Sequence, residues 1–239
     1  MGLLEGKKIV VTGVLMESSL AFRVAQLAQR EGAMVVLTGA GRGLSLTQRT
    51  ARKLDSAVDV FEFDVTVADH VESAREQVRG SLGTVDGVVH SIGFAPREAI
   101  AGDFLEGLSR ESFRIAHDIS AYSFPALAKA ALPLLNDKAS LLTLTYLGAE
   151  RVVPNYNTMG LAKASLSVSY SQQDDQSSTS MYAVAIVNYQ GGTVNLGAPQ
   201  FSTTAPSASN SYATQAANVS SISDALNLMS QCGDSYPVS

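Results

Sequence analysis

Short apolar runs alternate with longer stretches of mixed character along most of this chain. The runs are KIVVTG (8–13), MVVLTG (34–39), VDVFEFDV (58–65), VDGVVHSIG (85–93), SLLTLTYLG (140–148) and MYAVAIVN (181–188). Most are dense in Val, Ile and Leu, as strands covered on both faces are. Between them, helical patterns run near 19–31, 44–54, 68–82, 109–135 and 156–170. In the first, Leu20, Val24, Leu27 and Ala28 recur at helical spacing, and Gly32 follows as a stop. Such alternation predicts βαβ units: an α/β fold built on a doubly wound parallel sheet, Rossmann-like, in a single domain over 1–239.

Composition divides this picture into a well-specified core, 1–188, and a divergent polar end, 189–239. All 17 Lys and Arg residues lie at or before Lys163, and only Asp174, Asp175, Asp224 and Asp234 carry charge after it. Of the last 76 residues, 34 are Ser, Thr, Asn or Gln. That leaves little apolar surface to offset chain ordering, so part of 189–220 is expected to be poorly ordered. Two readings of this end stay open, a natural polar region and an artificial replacement. The formal net charge of −5 and the 16% of charged residues give no broad basic surface for nucleic acid. The single Cys232 and the absence of a Cys/His cluster point to a reducing compartment without structural zinc. No run is long enough for a membrane span, and the cytoplasm is the expected location.

The candidate chemistry lies where the strands end. Gly13 lets the chain turn tightly after the first strand, and Ser18 or Ser19 can cap a helix from Leu20, leaving backbone N–H groups for a pyrophosphate. The three close glycines of the usual dinucleotide fingerprint are missing. After the second strand, TGAGRG lacks the acidic residue that would select NAD, and Arg42 could meet a 2′-phosphate, so these residues alone leave NADPH open. Asp64, at the end of the third strand beside Val65, reads equally as a ligand contact or a helix cap. His90 sits in an apolar setting that suits a hydrogen-bonded structural histidine; His70 and His117 read as structural or solvated. Pro154 suits the first turn of a helix, placing Tyr156 and Lys163 on one helix seven residues apart. Seven steps of about 100° leave them on one face, roughly 10.5 Å apart along the axis. A charged amine there favours ionisation of the phenol or its donation toward developing negative charge.

GKKIVVTGVLMESSLAF, VVHSIGFAP, RIAHDISAYSF and LLTLTYLGAERVVPNYNTMGLAKASL together resemble the NADH-dependent enoyl-acyl-carrier-protein reductases, a divergent branch of the short-chain dehydrogenase/reductases. The resemblance covers residues 3–166. Ordinary short-chain reductases space tyrosine and lysine four apart; this branch spaces them seven apart, as here.

The resemblance implies reduction of a trans-2-enoyl thioester in fatty-acid biosynthesis, with hydride from NADH, chosen over NADPH on the family's usage. It implies Tyr156 on the thioester oxygen, Lys163 on the nicotinamide ribose, and Tyr146 as a second active-site tyrosine. Gly13, Ser19, Leu20, Asp64, Val65 and Ile92 would touch the dinucleotide, and Ala95 the acyl-carrier-protein-linked substrate. Beyond residue 188 the chain departs from the family. NYQGGTVNLGAP replaces its AGPIxT turn, QFSTTAPSASNSYATQAAN offers few apolar side chains for an acyl chain, and the closing strand is missing from the pattern. That loss would expose a sheet edge and weaken the family's homotetramer. Two further readings stand beside the reductase: a module that holds dinucleotide without turnover, and an artificial derivative without a physiological role.

Overall fold

Val10 and Val11, Val36 and Leu37, Val88 and Val89, Leu141 and Leu142 are neighbouring pairs in four adjacent strands, and each pair splits between two apolar clusters. Successive strand side chains point to opposite faces, so such a sheet needs cover on both. The computed structural model describes residues 2–173, 183–190, 193–197 and 216–219. Strands β1 (Lys8–Thr12), β2 (Met34–Gly39), β3 (Val60–Glu62), β4 (Val85–His90), β5 (Leu135–Thr145) and β6 (Ala183–Gln190) form a parallel sheet in the order β3-β2-β1-β4-β5-β6. Helix α1 (Leu20–Arg30) packs Phe22, Ala25 and Ala28 into the cluster that contains Val11, Leu37, Val89 and Leu142. Helices α3 (Ala68–Leu82) and α5 (Ser123–Ala131) bring Ala74, Val78, Phe124 and Leu127 to the opposite cluster, as does Leu166 of α6 (Asn157–Gln173). The doubly wound α/β fold expected from the strand pattern is the one observed.

The sheet departs from the expectation at its far edge. Strands β7 (Thr193–Gly197) and β8 (Ala216–Val219) continue it beyond β6, both in antiparallel pairs. The edge of β6 that a missing parallel strand would have exposed is therefore paired by β7. Of the 189–220 range expected to be poorly ordered, 189–190, 193–197 and 216–219 are strand, and the rest lies outside the described residues.

Several boundaries move for local reasons. Helix α2 (Gly41–Ala51) starts before the predicted Leu44, and its hydroxyls reach the loop after β1: Thr47 Oγ1 donates to Val14 O at 2.6 Å and Thr50 Oγ1 to Leu15 O at 3.0 Å. The single helix expected over 109–135 is broken. Ser109 caps α4 (Arg110–His117) by accepting from Ser112 N at 3.0 Å. A π-turn over Asp118–Tyr122 then leads into α5, and a 3₁₀ turn over Leu132–Leu134 ends it. Strand β5 starts earlier than Ser140 because Leu135 pairs with Val85 across an irregularity that the polar stretch NDKA disguises in the sequence. Among the described residues no helix is long and apolar enough to cross a membrane.

Candidate active site

The strand order reverses between β1 and β4, which is where doubly wound sheets open a crevice at their carboxyl ends. Thr12 closes the floor of that crevice. Its buried hydroxyl donates to Val89 O at 3.1 Å and accepts from Ser91 N at 3.0 Å. Gly13 follows with φ +80°, and a Cβ there would overlap Ser91 O, so glycine is required both for the angle and for the approach of the two strand ends. Ser19 has the extended backbone of a helix N-cap, but its hydroxyl donates to Met16 O at 2.6 Å instead of capping α1. The expected side-chain cap is thus replaced by a turn within the loop, and the first N–H groups of α1 stay free of it. Leu20 opens the helix, half-buried.

On the other flank, Asp64 Oδ1 accepts from Thr66 N at 2.9 Å and Thr66 Oγ1 at 2.6 Å, an Asx turn leading to α3. Asp64 is therefore not the helix cap that was one of its two expected roles: the N-cap of α3 is Val67, and the Asp64 carboxylate closes the turn before it. Val65 packs against the sheet cluster and borders a groove of about 600 Å³ between α3 and the α4–α5 region, which Tyr122 lines but Tyr146, Tyr156 and Lys163 do not. Arg42 is exposed at the start of α2. Ile92 packs beneath the crevice on the α3/α5 side, and Ala95 is buried against Ala99, Ala116 and Ala162.

His90 is fully buried. Its Nδ1 lies 2.8 Å from Thr143 Oγ1 and its Nε2 2.7 Å from Ser123 Oγ, while Ser123 donates to Ile119 O at 2.6 Å. With the Ser123 hydroxyl committed to Ile119, Nε2 is the ring donor and Nδ1 the acceptor. Burial, then the charge of Lys163, pushes the imidazole down to about 3, so it stays neutral. His90 is the structural histidine expected, joining β4 and β5 to the π-turn. That turn carries Ser120, which accepts from Phe94 N and donates to Phe94 O, both at 2.8 Å. Nothing in the sequence flags this clasp, because its partners are 26 residues apart.

Of the three expected catalytic residues, the two tyrosines pack together and Lys163 is held at Leu144, near the end of β5. Tyr146 and Tyr156 meet edge to face, ring centroids 4.9 Å apart at 63°. Tyr156 lies over Gly148, where a Cβ would overlap its ring. Lys163 is 7% exposed, and its ammonium donates to Leu144 O at 3.2 Å. A Cβ on Gly93 would come within 3.3 Å of that nitrogen, so glycine leaves the amine room at the crevice. Burial lowers the amine to about 8, leaving it mainly charged at neutral pH. Burial, followed by the neighbouring Tyr146, raises Tyr156 to about 12. Of the two alternatives expected for the phenol, ionisation is disfavoured because desolvation dominates, and the donor alternative is the one that burial favours.

A second correction concerns how Tyr156 is held. Pro154 lies in a turn, not in the first helical turn, and α6 starts only at Asn157. Tyr156 N donates to Val153 O at 3.1 Å, and Gly160 N to Tyr156 O at 3.2 Å. The ring direction is set by that turn and not by helix phase alone. Gly148, Asn155, Asn157 and Ser120 all shape the site without having been singled out; of these, only the Pro-Asn dipeptide gave a turn signal that could have been read.

The doubly wound parallel sheet, with its strand order reversing between β1 and β4, is of the Rossmann-like class. Residues 13–173 match the family model described as Enoyl-(Acyl carrier protein) reductase, and the chain belongs to that family. It is 47% identical over 168 residues to the enoyl-acyl-carrier-protein reductase (NADH) FabI of Neisseria meningitidis serogroup B, covering 70% of this chain and 64% of that protein. The FabI of Escherichia coli K12 is 47% identical over 167 residues, 70% of this chain and 63% of its own length. That of Bacillus subtilis is 39% identical over 171 residues, 70% and 65%. The matches thus span just under two thirds of these relatives.

Proposed function

We propose that this protein reduces trans-2-enoyl thioesters carried on acyl carrier protein, with NADH as the reductant, in fatty-acid biosynthesis. The observation that carries this reading is the Tyr146–Tyr156 ring pair together with the buried Lys163 amine held on Leu144 O near the end of β5. NADH would supply the hydride for the β-carbon of the enoyl thioester. The described residues fit such a cofactor: the buried Lys163 ammonium has three donors and, among the described residues, one acceptor, Leu144 O. The remaining donors suit ribose hydroxyls. Gly13, Ser19 and Leu20 offer a tight turn and helix start for the pyrophosphate, and Asp64, Val65 and Ile92 line the flanks. Arg42 is solvent-exposed and is assigned no part in cofactor choice.

Negative charge builds on the thioester oxygen as the β-carbon is reduced. Tyr156, held protonated by burial, donates a hydrogen bond to that oxygen, and this bond strengthens as charge develops. Tyr146 backs the ring of Tyr156. Ala95 borders the substrate, with exposed Phe94, Phe104 and Leu105 in the same segment offering apolar surface to an acyl chain. The described site keeps both tyrosines and the lysine, which favours turnover over the binding-only reading. The homotetramer usual in the family is proposed in weakened form, as the departure of the chain from the family beyond residue 188 implies.

The test is direct. NADH fluorescence on titration with protein should show saturable binding, and absorbance at the reduced-nicotinamide band should fall when a short enoyl thioester is added. Saturable binding without any consumption across a range of acyl lengths would overturn the reductase reading.

A further inference from the structure

Tyr156 stands at a corner whose backbone is left-handed on both sides. Asn155 has φ +61° and Asn157 φ +36°, the only non-glycine residues with positive φ among the described residues. Side chains enter this region at a cost, and asparagine does so more readily than most. Tyr156 N donates to Val153 O with Pro154 second and Asn155 third in the turn, the signature of a type II turn. The helix starts at the very next residue. Two backbone angles therefore decide where the ring points, and it lies over Gly148 and against Tyr146. In addition, Asn157 Nδ2 donates to Gly102 O at 3.1 Å, tying the corner to the chain that follows Ala95.

We propose that Asn155 and Asn157 are positioning residues for Tyr156, the left-handed backbone at both aiming the phenol and the Asn157 amide fastening that corner to the substrate-side segment. The proposal rests on the reading of Tyr156 as the group that meets substrate. Both asparagines act through the tyrosine backbone and the loop. Glycine can adopt the same angles but has no amide; alanine has neither advantage.

Four variants of the full chain separate the two effects: Asn155→Gly, Asn155→Ala, Asn157→Gly and Asn157→Ala. Ring placement is read by nitration of Tyr156 with tetranitromethane, scored by peptide mass spectrometry against Tyr122, which is 61% exposed and serves as the internal reference. Function is read as kcat and KM for NADH and for a crotonyl thioester. Asn155→Gly should match the parent in both. Asn155→Ala should raise the Tyr156/Tyr122 nitration ratio several-fold and lower kcat about ten-fold, with KM for NADH unchanged. Asn157→Gly should keep the nitration ratio and raise KM for the thioester; Asn157→Ala should show both defects. Circular dichroism checks folding, and if Asn155→Ala fails to fold, Asn155→Asp against Asn155→Ser repeats the comparison, Asp being the tolerant side chain. Alanine variants with the parent ratio and kcat, or Asn155→Gly as impaired as Asn155→Ala, would overturn the proposal. A parent chain that consumes no NADH refutes the reductase reading instead, and the nitration ratios still decide the positioning.

Discussion

His90 and Lys163 occupy the same interior and answer it differently. His90 is neutral with both ring nitrogens engaged, whereas Lys163 keeps a charge near neutral pH against the cost of burial. For His90 the folded value of about 3 lies below the unfolded one near 6.5, so its protonation is resisted only in the folded state. Stability is whole above pH 6.5 and falls as pH drops toward 3, by on the order of 4 kcal/mol. Urea unfolding at pH 7 and pH 4 should show about 3 kcal/mol of this loss, and His90→Gln should lack that contribution. For Lys163 the unfolded amine binds protons more readily between pH 8 and 10.5, so stability rises with pH there, by roughly 3 kcal/mol. Lys163→Met should lack that rise. In turnover, Tyr156→Phe is expected to lower kcat by about 10²-fold with NADH affinity kept, since it removes a bond that matters most in the transition state. Lys163→Ala should weaken both; equal losses in the two variants would contradict these roles. The types and order of the site residues are legible in the sequence, but the protonation of Tyr156 is not, because its burial comes from Gly148, Tyr146 and segments distant along the chain.

At the scale of elements, the strands β1, β2 and β4 were legible because Val- and Ile-rich runs have few other stable settings. Helix α3 matched its predicted limits, 68–82, with Gly83 at φ +74° as the stop. The region 109–135 was not, since the apolar spacing runs on through the π-turn and only the bond from Ser123 to Ile119 O and its link to His90 mark the break. Removing that link with Ser123→Ala should cost about 1–3 kcal/mol in chemical unfolding, because it leaves a buried ring nitrogen unsatisfied. The start of α6 was misplaced for a similar reason: Pro154 suits either a helix start or the second position of a type II turn, and Asn155 decides in favour of the turn. Gly148 shows what the element boundary protects. Gly148→Ala would push a methyl into the Tyr156 ring, and it should lower kcat at least about ten-fold while costing about 1–3 kcal/mol in stability.

For the whole molecule, Phe113 of α4 and Leu161 of α6 are exposed apolar residues on helices that pack on each other. If this face takes part in the proposed assembly, sedimentation should give a mass above the 25.1 kDa of one chain, and Phe113→Glu with Leu161→Glu should lower it toward that value. The sequence by itself determined the doubly wound α/β sheet and the crevice at its carboxyl edge, because periodic burial and strand–helix order are local properties written along the chain; the tyrosine–lysine set rests on the family resemblance of its motif. Tertiary structure alone decided that β7 and β8 continue the sheet in the antiparallel sense, that Ser120 clasps Phe94, and that burial holds Tyr156 neutral against Tyr146. The clasp joins residues 26 apart in the chain, and the sense of strand pairing and the desolvation of Tyr156 arise only once separate elements pack, so no local pattern encodes them.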